Sequence, residues 1–196
     1  HLAYVVQETT VKVHHVADAG ISLIGTIVRP RVGDYDWVNL RLSLHESKLA
    51  VADASWNLGK VTNFGRVTLY DLGEDAMTQS AEILAPPSDG VTYNGFGFRV
   101  TLSATRMFVE QTYNSRPSRL LTYRLQDGTW ELLDGAASID SGNENFAHTR
   151  VGGGDYFLVG NYGQWARLFR VERGGLSLLR QYSENGRPAF AHSVAL

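Results

Sequence analysis

The chain has 196 residues, of which 43% are apolar and 19% charged, with 20 glycines and no cysteine, so disulfides and thiolate metal sites are excluded. Eighteen basic and twenty acidic side chains leave a net charge of -2, which provides no basic field for nucleic acid. No apolar run approaches the about 20 residues that a spanning helix needs, so no membrane span is predicted.

A short hairpin pattern recurs four times along the chain. It consists of an apolar residue, an aromatic or His, a polar residue and another apolar residue, followed by a turn and a second apolar-rich run. Its copies begin at Val13, Leu69, Thr122 and Leu168. A second pair of apolar runs precedes three copies, over 38–44 and 49–52, 96–102 and 107–110, and 146–151 and 156–159. Four strands per unit are therefore predicted.

Successive copies of the pattern lie 56, 53 and 46 residues apart, a period typical of repeat arrays and propellers. The fourth unit is split, because residues 190–196 align without gaps on 96–102 while residues 2–27 supply its other three strands. We predict one all-β domain over residues 1–196, a propeller of four four-stranded blades in which the N- and C-terminal strands complete one blade. The units cover about 190–196 plus 2–28, 37–85, 95–135 and 145–182. Half of an eight-bladed ring, or a piece of a longer array, is the alternative.

The units resemble FG-GAP-type propeller repeats, which occur in integrin α-subunit heads and in bacterial surface and biofilm-matrix proteins. The best match is residues 95–102, around Phe96-Gly97, together with Tyr123 and residues 127–132. The corresponding dipeptides elsewhere are Val38-Asn39, Phe146-Ala147 and Phe190-Ala191. The resemblance implies a secreted or cell-surface protein with an adhesion or ligand-binding role. Some members carry calcium in an Asp-rich blade loop, which no unit here contains, so no cofactor is expected.

The loops that follow the second strand of three units place an aromatic residue beside an Asn. The residues are Trp56 and Asn57, Tyr113 and Asn114, and Asn161 and Tyr162, with Trp165 close behind. Equivalent propeller loops emerge on one face, where aromatic rings and amides together suit a sugar. The other interpretation is that the aromatics fill the blade rim and the Asn residues form tight turns.

The sequence indicates a metal site less clearly than it indicates a sugar-binding face. Asp34 and Asp36 stand at alternate positions and are weak candidates for a hard cation, although a solvated turn fits them better. His14 and His15 are adjacent on a strand and should point to opposite faces. His148 and His192 occupy equivalent positions in two units and are expected to be packed and hydrogen-bonded rather than metal-bound.

The sequence contains no nucleophile elbow, phosphate-binding loop or zinc-protease motif. We therefore predict a non-enzymatic recognition module, which is a monomer or a homodimer. A glycan is the first-choice ligand and a surface protein is the second. The rival hypothesis is a glycan-active enzyme that uses Asp34 and Asp36, or Asp53, as acid and base. A structural or oligomerisation role is the third.

Overall fold

The chain folds into β-strands joined by turns. The computed structural model describes residues 1–6, 9–29, 40–57, 64–86, 95–112, 118–133, 137–139, 144–151, 154–161, 165–172 and 175–183. No helix occurs among these residues, so none of the described segments has the helical length and apolarity that crossing a membrane requires. The prediction of an all-β fold is confirmed.

The strands form four antiparallel sheets that follow one another along the chain. Sheet 1 contains β1 (Leu2–Val6), β2 (Thr10–Ala17) and β3 (Gly20–Val28). Sheet 2 contains β4 (Leu40–His45), β5 (Lys48–Asp53), β6 (Arg66–Leu72) and β7 (Met77–Leu84). Sheet 3 contains β8 (Phe96–Leu102), β9 (Arg106–Gln111), β10 (Ser118–Gln126), β11 (Thr129–Leu132) and β12 (Ala137–Ile139). Sheet 4 contains β13 (Glu144–Val151), β14 (Gly154–Asn161), β15 (Trp165–Glu172) and β16 (Gly175–Ser183).

Each sheet is a meander in which every strand pairs with the next one, apart from β12, which pairs with β10. Short turns allow this order. The two-residue turn of Asp127 and Gly128 connects β10 to β11, and both residues have positive φ values, 49° and 79°. This is the Asp-Gly turn whose twist matches that of the flanking strands.

The last hairpin of sheets 1, 2 and 4 carries a bulge at the same point of the recurring pattern. The register shifts between Val13 and His14, between Leu69 and Tyr70, and between Leu168 and Phe169. In each case the shift falls immediately before the aromatic or His of the pattern. The recurring pattern thus marks a recurring irregularity of the backbone as well as a pair of strands.

The hydrophobic core lies between consecutive sheets, because side chains alternate between the two faces of each strand. In β5, Leu49 and Val51 pack toward sheet 1, whereas Ala50 and Ala52 pack toward sheet 3. Phe108 of β9 packs on Phe157 of β14, with ring centroids 4.4 Å apart, and so joins sheet 3 to sheet 4. Such a stacked pair contributes roughly 0.5–1.5 kcal/mol beyond its buried area.

Phe96 and Gly97 hold sheet 3 against sheet 2. Phe96 is fully buried in the core between the two sheets, and its backbone forms an isolated parallel bridge with Gly65. Gly97 has a φ of +85°, and a Cβ there would lie 2.9 Å from the carbonyl oxygen of Arg66 and 3.3 Å from the Cβ of Ala52. A residue without a side chain is therefore needed at this contact.

The four sheets form a row, and the first strand of each contacts the first strand of the next. Four antiparallel sheets in this order agree with the predicted architecture, but the described residues do not close the row into a ring. Residues 190–196, the predicted partner strand of sheet 1, lie outside the described residues. The closed propeller accordingly stays a prediction.

Candidate functional site

The candidate site lies at the end of β5, where the chain leaves sheet 2. A turn follows Asp53, and the backbone N–H of Trp56 donates to the carbonyl oxygen of Asp53 at 3.3 Å. The carbonyl of Trp56 in turn accepts a hydrogen bond from the N–H of Gly65 at 3.0 Å. Trp56 and Asn57 are both half-buried. Backbone contacts on both sides of the Trp56 residue fix it at the rim of sheet 2.

A buried ion pair supports this turn from below. Arg29 and Asp53 are only 5% and 2% exposed, and the Nε of Arg29 donates to Oδ2 of Asp53 at 2.9 Å. A second guanidinium nitrogen donates to the Ser55 carbonyl at 3.0 Å. The other carboxylate oxygen, Oδ1, accepts hydrogen bonds from the N–H of Ser55 at 3.2 Å and from its hydroxyl at 2.7 Å. Both carboxylate oxygens of Asp53 are thus engaged within the protein.

Arg29 also joins this cluster to sheet 1. It directly follows β3, and its backbone N–H donates to the carbonyl of Thr9 at 2.8 Å. A buried charge is costly unless it is paired and fully hydrogen-bonded, a condition that the Arg29 and Asp53 side chains meet together. The cluster therefore holds the turn at a fixed place relative to two sheets.

Arg66 covers part of the Trp56 ring. Its guanidinium carbon lies 5.0 Å from the ring centroid, and the same guanidinium donates to Glu82 at 3.0 Å. Cation–π contacts of this kind are worth about 0.5–1 kcal/mol at exposed positions. Glu82 limits the freedom of the arginine, and the arginine in turn restricts the movement of the indole.

The corresponding end of β9 in sheet 3 is also built from buried polar groups. Glu110 and Gln111 are 1% and 0% exposed. Arg99 donates to Glu110 at 2.9 Å, and Arg119 donates to Gln111 at 3.3 Å. Gln111 ends its strand as Asp53 ends β5, so equivalent positions carry a paired polar side chain in both sheets. Tyr113 and Asn114, which follow it, lie outside the described residues.

In sheet 4 a tryptophan stands where sheet 2 has Arg66, because Trp165 pairs with the last residue of β14 as Arg66 pairs with Asp53. Trp165 is 7% exposed and belongs to the core between sheets 3 and 4, with Arg167 stacked 4.0 Å from its ring centroid. Asn161 is paired with Trp165 in the register of β14 and β15, but its side chain and Tyr162 lie outside what the structure describes. The burial of Trp165 argues against a direct role in binding.

The histidines of sheet 1 lie on opposite faces, as the strand alternation predicts. His14 stacks on Tyr4, whose hydroxyl is 3.3 Å from its Nε2, whereas His15 lies 3.4 Å from the ring of His1. Asp34, Asp36, His192 and the side chain of His148 lie outside the described residues. Within the described part of the chain, no group of three or more His, Asp or Glu side chains is placed to hold a metal ion.

No protein-family model and no curated protein matches the chain. The candidate site must therefore be interpreted from its own chemistry.

Sequence reasoning identified Trp56, Asn57 and Asp53 but missed Arg29 and Arg66. Arg29 follows an apolar strand and precedes a proline, and Arg66 follows a glycine at the start of β6. An arginine at a strand end is the signal available in the sequence, and it does not reveal which carboxylate or ring the arginine contacts.

Proposed function

We propose that the protein is a non-enzymatic recognition module, and that it binds a glycan at the turn after β5 through Trp56 and Asn57. The supporting observation is the half-buried indole of Trp56, whose backbone is hydrogen-bonded on both sides and whose ring is contacted by Arg66. A fixed aromatic surface reduces the entropy that must be lost on binding. Resemblance to surface-protein repeats supports a secreted or cell-surface location.

The chemistry of the site suits a neutral sugar. An indole offers a flat apolar face to the C–H groups of a pyranose ring, while a neighbouring amide both donates and accepts hydrogen bonds. Arg66 approaches one side of the ring, so the sugar would stack on the other. Because the arginine is already paired with Glu82, the site carries little net charge and does not call for an acidic sugar.

The proposed architecture is a propeller in which each of the four sheets forms one blade. Three observations support it: the consecutive order of the sheets, their face-to-face cores, and the row formed by their first strands. In such a fold the turn after β5 and its equivalents emerge on one face. Tyr113 and Asn114 of the next unit would then lie beside Trp56 and extend the binding surface.

A glycan array tests the proposal with three proteins: wild type, Trp56→Ala and the control Trp130→Ala. Trp130 is half-buried and lies in β11, near the opposite end of its sheet, so its removal should leave binding intact. Loss of the stacked ring is expected to weaken binding about tenfold, which corresponds to ~1.4 kcal/mol. Binding should also survive EDTA. Absence of glycan binding by wild type, or equal affinities of the three proteins, would contradict the proposal.

The rival enzymatic hypothesis finds less support at Asp53. A general acid or base needs a carboxyl oxygen that can reach the substrate, and those of Asp53 are buried and engaged by Arg29 and Ser55. Asp34 and Asp36 remain the candidates for that hypothesis. Hydrolysis of any glycan that binds on the array, measured as the release of new reducing ends, would favour the enzyme over the binding module.

A further inference from the structure

The outer face of sheet 1 is strongly apolar and exposed. Alternation along β2 directs Val11 and Val13 into the core with sheet 2 and directs Lys12, His14 and Val16 to the other side. The register of β1 and β3 places further apolar residues on that same outer side. Six of its side chains are large, apolar and between 41% and 66% exposed: Leu2, Tyr4, Val16, Ile21, Leu23 and Val28.

Exposed apolar residues are most numerous in sheet 1, and sheet 4 at the other end of the row also presents apolar side chains on its outer face. Among the described residues thirteen large apolar side chains are exposed, seven in sheet 1 and three in sheet 4, which leaves three for the two central sheets. The outer face of sheet 4, opposite the face that contacts sheet 3, carries the exposed Tyr182 and the half-buried Leu158 and Leu168. Two exposed arginines, Arg170 and Arg180, lie on the same face. A patch of this kind on a folded protein is typical of an interaction surface.

We infer that the outer face of sheet 1 packs on the outer face of sheet 4 of a second copy of this chain, and reciprocally, so that two chains form a ring of eight sheets. The contact would continue the packing already present between sheets 1 and 2, 2 and 3, and 3 and 4. A second copy covers both open faces while those three interfaces stay as they are. Propellers with eight blades lie within the known range.

The available area favours two reciprocal contacts over one. A face of three strands, each about eight residues long, measures roughly 26 by 14 Å, or about 370 Å². One pair of such faces buries too little surface for a stable complex, whereas two pairs bury roughly 1,500 Å², close to the standard size. Reciprocal pairing also closes the assembly, since a single contact of unlike faces would propagate into a filament.

Light scattering coupled to size exclusion tests this inference on the full chain. Wild type is expected to have twice the monomer mass, and the double variant Ile21→Asp/Leu23→Asp is expected to be a folded monomer, with dimerisation weakened roughly 100-fold or more. Leu132→Asp is the control, because it places an aspartate on an exposed leucine of sheet 3 and should remain dimeric. A monomeric wild type would overturn the inference, and so would a double variant that stays dimeric.

Cross-linking identifies which faces meet and does not depend on the aspartate variants. The chain has no cysteine, so Ile21→Cys and Ser177→Cys each introduce a single thiol. Ser177 lies on the outer face of sheet 4 near the start of β16, as Ile21 lies on the outer face of sheet 1 near the start of β3. A short bis-maleimide should join the two variants when they are mixed and should join neither with itself. Self-linking of Ile21→Cys would show contact between two copies of sheet 1. Absence of any linked product from fully labelled proteins would exclude the proposed pair of faces. Either result would overturn the inference. The inferred dimer does not depend on the glycan site, so a negative result for one proposal leaves the other standing.

Discussion

Gly97→Ala is expected to destabilise the protein more than an ordinary glycine substitution, because two independent costs act at this position. The φ of +85° is unfavourable for a residue with a side chain, by about 1–2 kcal/mol. The new methyl group would also lie 2.9 Å from the carbonyl oxygen of Arg66, closer than real contacts allow. Backbone that must move to relieve such crowding typically adds ~1–3 kcal/mol.

Gly128→Ala is the matched control for this substitution. Gly128 has nearly the same φ, +79°, but no atom lies within 4 Å of the position of its Cβ. Its substitution should therefore show the conformational cost alone, about 1–2 kcal/mol. The sum for Gly97→Ala, about 2–5 kcal/mol, is a large share of the ~5–15 kcal/mol that stabilises a typical domain.

Urea denaturation followed by tryptophan fluorescence and by far-ultraviolet circular dichroism measures the free energy of unfolding of both variants. The close approach of β8 to β5 and β6 predicts a difference of at least ~1 kcal/mol between them. If both variants lose the same stability, Gly97 does not lie against Ala52 and Arg66, and the described contact between sheets 2 and 3 is wrong.

Two further predictions concern charge. Asp53→Asn leaves Arg29 buried without its counter-charge and should lower the free energy of unfolding by roughly 3–5 kcal/mol in urea denaturation. Asp71→Asn breaks the exposed 2.6 Å pair with Lys48 and should lower it by less than about 1 kcal/mol. Equal losses of stability would refute this distinction. Burial raises the pKa of Tyr123 above its ordinary value, so ionisation favours the unfolded chain and stability should fall as the pH rises above about 10. Tyr123→Phe should reduce that fall, and identical alkaline slopes for both proteins would refute it.

The sheets were predictable because alternation and turn chemistry are local. Apolar Val11 and Val13 alternate with polar neighbours, and Asp127-Gly128 specifies its turn without help from distant residues. The bulge after Val13 was not predictable, since one extra residue in the partner strand resembles ordinary irregularity in the pattern. How the sheets associate depends on contacts between distant segments, such as Phe108 with Phe157.

The candidate site was predictable only in part for the same reason. Trp56 and Asn57 stand out as an aromatic and an amide after a strand, but Arg29 lies 24 residues before the Asp53 that it contacts and follows a strand of another sheet. Trp165 shows the converse difficulty. It stands close to an Asn, as Trp56 does, yet it opens β15 and lies in the same core cluster as Phe108, because the face of a residue at a strand end is decided by packing.

The bulge before the aromatic or His of the recurring pattern bears on the history of the chain. A backbone irregularity at the same point of three sheets is what duplication of one ancestral hairpin would leave, because each copy would inherit the extra residue together with the strand pair. Deletion of that residue from one copy would move every following side chain of the strand to the opposite face. Single-residue insertions and deletions in these hairpins should thus be selected against even where the inserted or deleted residue is exposed.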